Sequence, residues 1–294
     1  MERKPLVPAR RPGIHAGVPM DEYLRWDAAG NSDLMNMKRS PAYANDQRTV
    51  VSEPSASTTF GIAVHARILQ PEDYDRIVGV LPADLNLRTK DGRAHRDALY
   101  ESHEVVISAD VAKEVEACAR SVFNHKAASV LVGANGPVEQ SVIAEDPETG
   151  CPVKIRPDKL IPQKGVVLDV KTTRMPSEFA FTRQSFQLGY DRKLSFYLWV
   201  MNLLPALGPS PEYHTGAVLL IQNTPPYEPL VVAYKTRVLE AARVSWRRDL
   251  TRFAECRDTN VWPGFTETVK VLDYEDWMIA SREGDEEGGS WESE

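Results

Sequence analysis

The sequence predicts an α/β fold of the α+β kind, a mixed central β-sheet flanked by helices. Three observations predict it. The middle of the chain alternates in hydropathy with period two, the segments on either side repeat their apolar residues every three or four positions, and turn-forming runs such as EDPETG and PQKG separate the strands.

Taken in order, residues 1–19 are rich in Pro and Arg and show no periodicity, so they are expected to form an arm, mobile or laid over a neighbour. Residues 59–70 carry Phe60, Val64 and Ile68 at four-residue spacing, a helical pattern. Residues 83–103 are polar and turn-rich, too long for an inert connection, and read as a working or mobile loop. Ser108 can cap a helix with Val111, Val115, Ala119 and Val122 on one face. Residues 137–143, 152–161 and 165–172 read as three successive strands of a meander. A long aromatic-rich helix follows over 183–204, then strands over 214–222 and 230–235. A last helix buries Leu239, Ala242, Trp246, Leu250 and Phe253. The expected organisation is an arm (1–19), one domain (20–280) and an acidic disordered tail (281–294).

Composition narrows the function. The chain has 294 residues, 42% of them hydrophobic, an ordinary globular balance. No apolar run approaches the roughly 18 residues of a membrane span, and no apolar stretch follows the basic N-terminus, so a cytoplasmic protein without a membrane partner is expected. Cys118, Cys151 and Cys256 lack any CxxC pairing, which argues for reduced structural thiols over a disulfide framework, a zinc site or an iron–sulfur cluster. A net charge of −7 argues against nonspecific coating of nucleic acid. From Lys154 to Lys193, however, nine basic residues face four acids, as a phosphate-tracking groove would need.

The chemistry emerges when the meander is folded. A turn centred between Gln163 and Lys164 pairs residues whose numbers add to 327, which sets Asp158 opposite Asp169. A turn centred between Glu148 and Thr149 sets Glu139 opposite Asp158 by the same reasoning. Lys171 shares the face of Asp169, while Val170 points into the core. Three acids in a row repel one another, and a hard cation such as Mg²⁺ or Mn²⁺ offsets that repulsion while activating water and stabilising a phosphate under attack. Lys171 would orient or help deprotonate the water, or neutralise the phosphate. A lone D-x-K triplet is common by chance, and a lone histidine among apolar residues is usually core. The register is what sets this triplet apart.

IRPDKL and VVLDVKTT resemble the two halves of the motif of the PD-(D/E)XK nuclease superfamily, with its restriction-endonuclease-like core. GIAVHARILQPEDYD resembles the segment that supplies a metal-binding histidine, here His65, in RecE-like phage and prophage exonucleases. LNLRTKDGRAH, PVEQSVI, GYDRKLSFY and VWPGF follow in that family's order, so the resemblance spans about residues 21–277. It implies a Mg²⁺-dependent 5′-to-3′ exonuclease on double-stranded DNA ends, with two ions per site held by His65, Asp158, Asp169 and the Val170 carbonyl. It also implies a RecT-like single-strand annealing partner and a homo-oligomeric ring. Arg88, Lys90, Arg93, Arg156, Thr172, Gln187, Tyr190, Lys193 and Tyr197 are the expected DNA contacts, Gln187 and Tyr190 lying one turn apart near a helix start. At one position the sequence departs from the family: Lys193 stands four residues before Tyr197, where relatives carry glutamine. Two other readings stay open, a repair or CRISPR-adaptation nuclease acting on single strands or flaps, and a noncatalytic DNA-end-binding protein.

Overall fold

A computed structural model describes residues 2–51, 54–174, 177–204, 212–266 and 268–284. At its centre lies a four-stranded sheet in the order Pro229–Ala233, Thr215–Gln222, Val166–Thr173, Lys159–Ile161. The outer pairs run antiparallel and the inner pair parallel, so the sheet is mixed as expected. A parallel pair needs a long crossover. Helices Glu178–Leu188 and Tyr190–Leu203 lie along that connection.

The central strand Val166–Thr173 is apolar on both sides because both faces of the sheet are covered. Val166, Leu168 and Val170 pack with the helices Ala56–Leu69 and Ala109–Asn124, whereas Val167 faces the core built by Tyr190–Leu203 and Thr236–Thr259. The second core is dominated by Trp246, Phe196 and Phe253, all within 1% exposure. Trp246 also donates its indole N–H to Ser195 Oγ at 3.0 Å, so the one polar atom it buries is satisfied. Ser108 caps Ala109–Asn124 by accepting from the Val111 amide, and Val115, Ala119 and Val122 are buried as the spacing requires.

The predicted meander registers hold. Lys159 pairs with Leu168 and Ile161 with Val166; Val142 pairs with Ile155 across the other turn. The strand over 152–161 is nevertheless two strands. Pro152–Ile155 belongs to a separate antiparallel sheet with Ser141–Glu145 and Gly13–His15, and the chain bends at Arg156-Pro157-Asp158 before Lys159–Ile161 joins the central sheet. A proline supplies no ladder donor, so the bend falls where it stands. The strand expected over 137–143 begins only at Ser141, upstream of which Val138 forms an isolated bridge to Lys159.

Other expectations need correction. The turn-rich segment 83–103 is largely the helix Lys90–Ser102: Thr89 Oγ1 caps it by accepting from the Gly92 amide, and among its residues only Gly92 is buried. An exposed helix has no apolar stripe to reveal it. The long helix over 183–204 is broken at Gly189, whose φ of +71° is left-handed; a Cβ there would lie 2.8 Å from the Met35 sulfur. The N-terminal arm is laid over its neighbours, Gly13–His15 extending the three-stranded sheet and Val18 being buried. At the other end Asp276–Gly284 is helical, and the rest of the expected tail, 285–294, lies outside the described residues. Among the described residues no helix is long and apolar enough to cross a membrane.

Candidate active site

The site forms where the central sheet runs out of edge strand. Lys159–Ile161 is three residues long and its pairing ends at Leu168, so the next edge-facing groups of the central strand, the amide and carbonyl of Val170, have no strand to meet. Side chains satisfy them instead. Asp158 Oδ2 accepts from the Val170 amide at 2.6 Å, and the Val170 carbonyl accepts from His65 Nε2 and from Lys171 Nζ, each at 2.9 Å. The Val170 carbonyl, expected as a metal ligand, accepts from His65 and Lys171 in this arrangement.

That orientation fixes the tautomer. With Nε2 donating to a carbonyl, the Nδ1 lone pair of neutral His65 faces Asp158 Oδ2 at 3.8 Å and Glu139 Oε1 at 4.0 Å. Both separations are too long for a hydrogen bond, and three acceptors pointed at one space repel unless a cation sits among them. Ligand atoms of His65, Glu139 and Asp158 all lie within 4.8 Å of one another, so these three side chains can hold a metal ion. A histidine held through its other nitrogen by a backbone carbonyl is the usual support of a ligating imidazole. Burial lowers the His65 pKa, but Asp158 and Glu139 outweigh it and raise it above its ordinary value.

Glu139 reaches this space through an unusual backbone, its φ of +50° being left-handed in a residue with a side chain. Two contacts over-determine it: its amide donates to the Asp158 carbonyl at 3.2 Å, and Arg156 Nε donates to its Oε2 at 3.1 Å. Arg156, expected on DNA, also donates from Nη1 to the Val18 carbonyl and Ser141 Oγ.

Asp169 is 2% exposed and lies between two lysines. Lys171 Nζ is 2.7 Å from its Oδ2, and Lys193 Nζ donates to its Oδ1 at 2.5 Å. Lys171 Nζ also donates to the Val170 carbonyl, so its ammonium bridges that oxygen and Asp169 Oδ2. Burial acts to raise both acids. In Asp169 the two lysines overcome it and hold the carboxyl well below its usual range, whereas Asp158 is left raised by burial and by the Asp169 charge. Lys193 shows the mirror effect: burial lowers it, yet Asp169 holds it well above the ordinary lysine value.

The remaining expected contacts fall in three places. Tyr190 stands beside the site, stacked on Phe181 with centroids 5.9 Å apart and its ring 5.8 Å from Lys171 Nζ. Gln187 is exposed, but it lies across the Gly189 break from Tyr190 and not one turn along the same helix. Thr172 is half-buried on the central strand, near Gly61 of the histidine-bearing helix. Tyr197 is buried, its ring under the Lys193 ammonium at 5.1 Å, which turns it toward the protein. Arg88, Lys90 and Arg93 are exposed around the start of the Lys90–Ser102 helix, outside the cluster at Val170. Two roles escaped sequence reasoning: Lys193 as a partner of Asp169 and Arg156 as the clamp on Glu139. Neither contact leaves a local signal, since the partners are 24 and 17 residues apart. The three cysteines are free and buried.

An acid after proline facing a D-x-K triplet across the open edge of a mixed sheet defines a centre of the PD-(D/E)XK type. The chain belongs to the family described as PDDEXK-like domain of unknown function (DUF3799), which it matches over residues 30–275. Its fold is similar to that of a candidate exonuclease from Eubacterium rectale, with a TM-score of 0.55 and 12% identity over 88% of this chain and 94% of that one. A phage-related exonuclease from Haemophilus somnus is similar over 58% of this chain and 85% of its own, at 9% identity and a TM-score of 0.33. No curated protein matches the chain.

Proposed function

We propose that this protein is a Mg²⁺-dependent exonuclease, Mn²⁺ substituting, that digests double-stranded DNA from its ends in the 5′-to-3′ direction. The observation that carries the reading is the convergence of His65, Glu139, Asp158, Asp169 and Lys171 at one sheet edge, with donors suited to a hard divalent ion. Such an ion, when bound, supplies Lewis-acid polarisation of a phosphate and a water of lowered pKa. The protein's own residues do the rest. Lys171, fixed by Asp169 and the Val170 carbonyl, presents its ammonium where a scissile phosphate or attacking water would be oriented. His65, Glu139 and Asp158 hold the ion, and Tyr190 lines the approach to Lys171.

The likeness to the Eubacterium rectale protein, itself described as a candidate exonuclease, supports the choice of exonuclease over other nucleases of this fold. The finer parts of the reading rest on the RecE-like sequence blocks: the 5′-to-3′ polarity, the resection of linear ends for phage-type annealing recombination, a RecT-like partner, and a ring of copies around the duplex. Incubation of purified protein with 5′- and 3′-end-labelled linear duplex and with closed circles tests it. Linear DNA should shorten from the 5′ ends with Mg²⁺ and not with chelator, while circles survive. Nicking of closed circles, or full digestion by Asp169→Ala, would sink the reading.

A further inference from the structure

Lys193 sets a fixed positive charge on Asp169, beside the candidate ion site. Its ammonium donates to Asp169 Oδ1 and lies 5.1 Å from the Tyr197 ring, so it is held from two sides. The side chain is only 19% exposed. Oδ2 of the same carboxylate lies 2.7 Å from Lys171 Nζ, so both oxygens of Asp169 already face ammonium groups. Charge points the same way. The carboxylates of Glu139, Asp158 and Asp169 are already matched by Arg156, Lys171 and Lys193, all within ion-pairing distance of one of them. One divalent ion therefore leaves the centre cationic, ready for a phosphate. A second would add two further positive charges with no acid left to offset them, and cations crowded in a partly buried site repel strongly.

We propose that Lys193 is a built-in cation that stands in for a second metal ion, so that this centre binds one divalent ion and not two. The inference rests on the reading of the site as a divalent-ion centre given above. Its consequence is a division of labour within the centre: His65, Glu139 and Asp158 serve the ion, and Asp169 serves the lysines.

Titration of the full-length protein with Mn²⁺ in the absence of DNA, followed by calorimetry and by the Mn²⁺ paramagnetic resonance signal, tests this directly. The parent chain and Lys193→Arg should each bind one Mn²⁺. Lys193→Met, which keeps the length and loses the charge, should bind two, and the second should broaden the resonance by spin coupling to the first. Circular dichroism confirms that each variant is folded, and the parent titration decides the matter alone if one is not. Two ions in the parent overturn the inference while leaving the proposed nuclease intact, as does a Lys193→Met protein that still binds one. No ion in the parent overturns both. A parent that binds one ion and leaves labelled DNA uncut supports the inference and removes the nuclease.

Discussion

Asp158 and Asp169 are both buried, yet their surroundings drive them apart: two ammonium groups hold Asp169 ionised, and Asp158 bears the cost of burial and of its neighbour's charge. Environments that split a pair of acids in this way assign them different work. Lys171→Ala should lower the DNA-cleavage rate by about 10²–10⁴-fold, the range for loss of one positioned proton-transfer or charge-stabilising group, with little change in duplex binding. Gel-shift and cleavage assays on the same preparation separate the two effects. At this scale the sequence was partly legible. Asp158, Asp169, Lys171 and Glu139 could be gathered from two turn centres because strand pairing is arithmetic. Lys193 could not, because its partner lies on another element and helical spacing says nothing about what faces a helix.

Among elements, the 137–139 segment is held against the edge strand by a glycine. Gly136 has a φ of +159°, and a Cβ there would lie 1.9 Å from the Leu160 carbonyl oxygen, which is backbone and cannot swing aside. Gly136→Ala should cost about 2 kcal/mol or more and weaken Mn²⁺ binding, since the shifted segment carries Glu139 away from His65. Urea melts and metal titrations measure the two. Trp246→Ala, which empties a fully buried site between helices, should cost about 3–5 kcal/mol by the same melts and leave metal affinity unchanged in the folded fraction. Elements with an apolar stripe or a period-two run were legible. The helix Lys90–Ser102 was not, because it buries almost nothing, and the break at Gly189 was not, because the aromatic spacing continues through it.

Across the whole molecule, the N-terminal region is tied to the helix Thr236–Thr259 through Asp27, which accepts from Arg48 Nη2 at 2.6 Å and from Arg257 Nη2 at 3.1 Å. Burial acts to raise this carboxyl, but the two arginines prevail and lower it below its ordinary 3.8. A lowered folded-state value adds stability that is fully present above 3.8 and is lost as pH falls through the folded value. Asp27→Asn should therefore be less stable than the parent at pH 7, and the difference should shrink in acid below 3.8. Urea titrations at a series of pH values check it, and a gap that widened in acid would contradict it. The mixed sheet and its flanking helices were legible at this scale. The division of the meander between two sheets was not, because the bend at Pro157 falls inside a run that reads as one strand.

The parts of the site are far apart along the chain. His65 arrives first, then Glu139 and Asp158, and the triplet with Lys171 only after the turn at Gly165, with Lys193 on the helix beyond. A polypeptide still emerging from the ribosome at residue 160 holds His65, Glu139 and Asp158 but neither Asp169 nor a lysine beside it. The central strand, moreover, gains its parallel neighbour only when 215–222 has been made. For the exonuclease proposed above, a chain that stops before residue 215 is expected to leave DNA uncut, because the central strand lacks its parallel neighbour. In refolding, cleavage should appear no earlier than the native Trp fluorescence, and never in fragments that stop before residue 215.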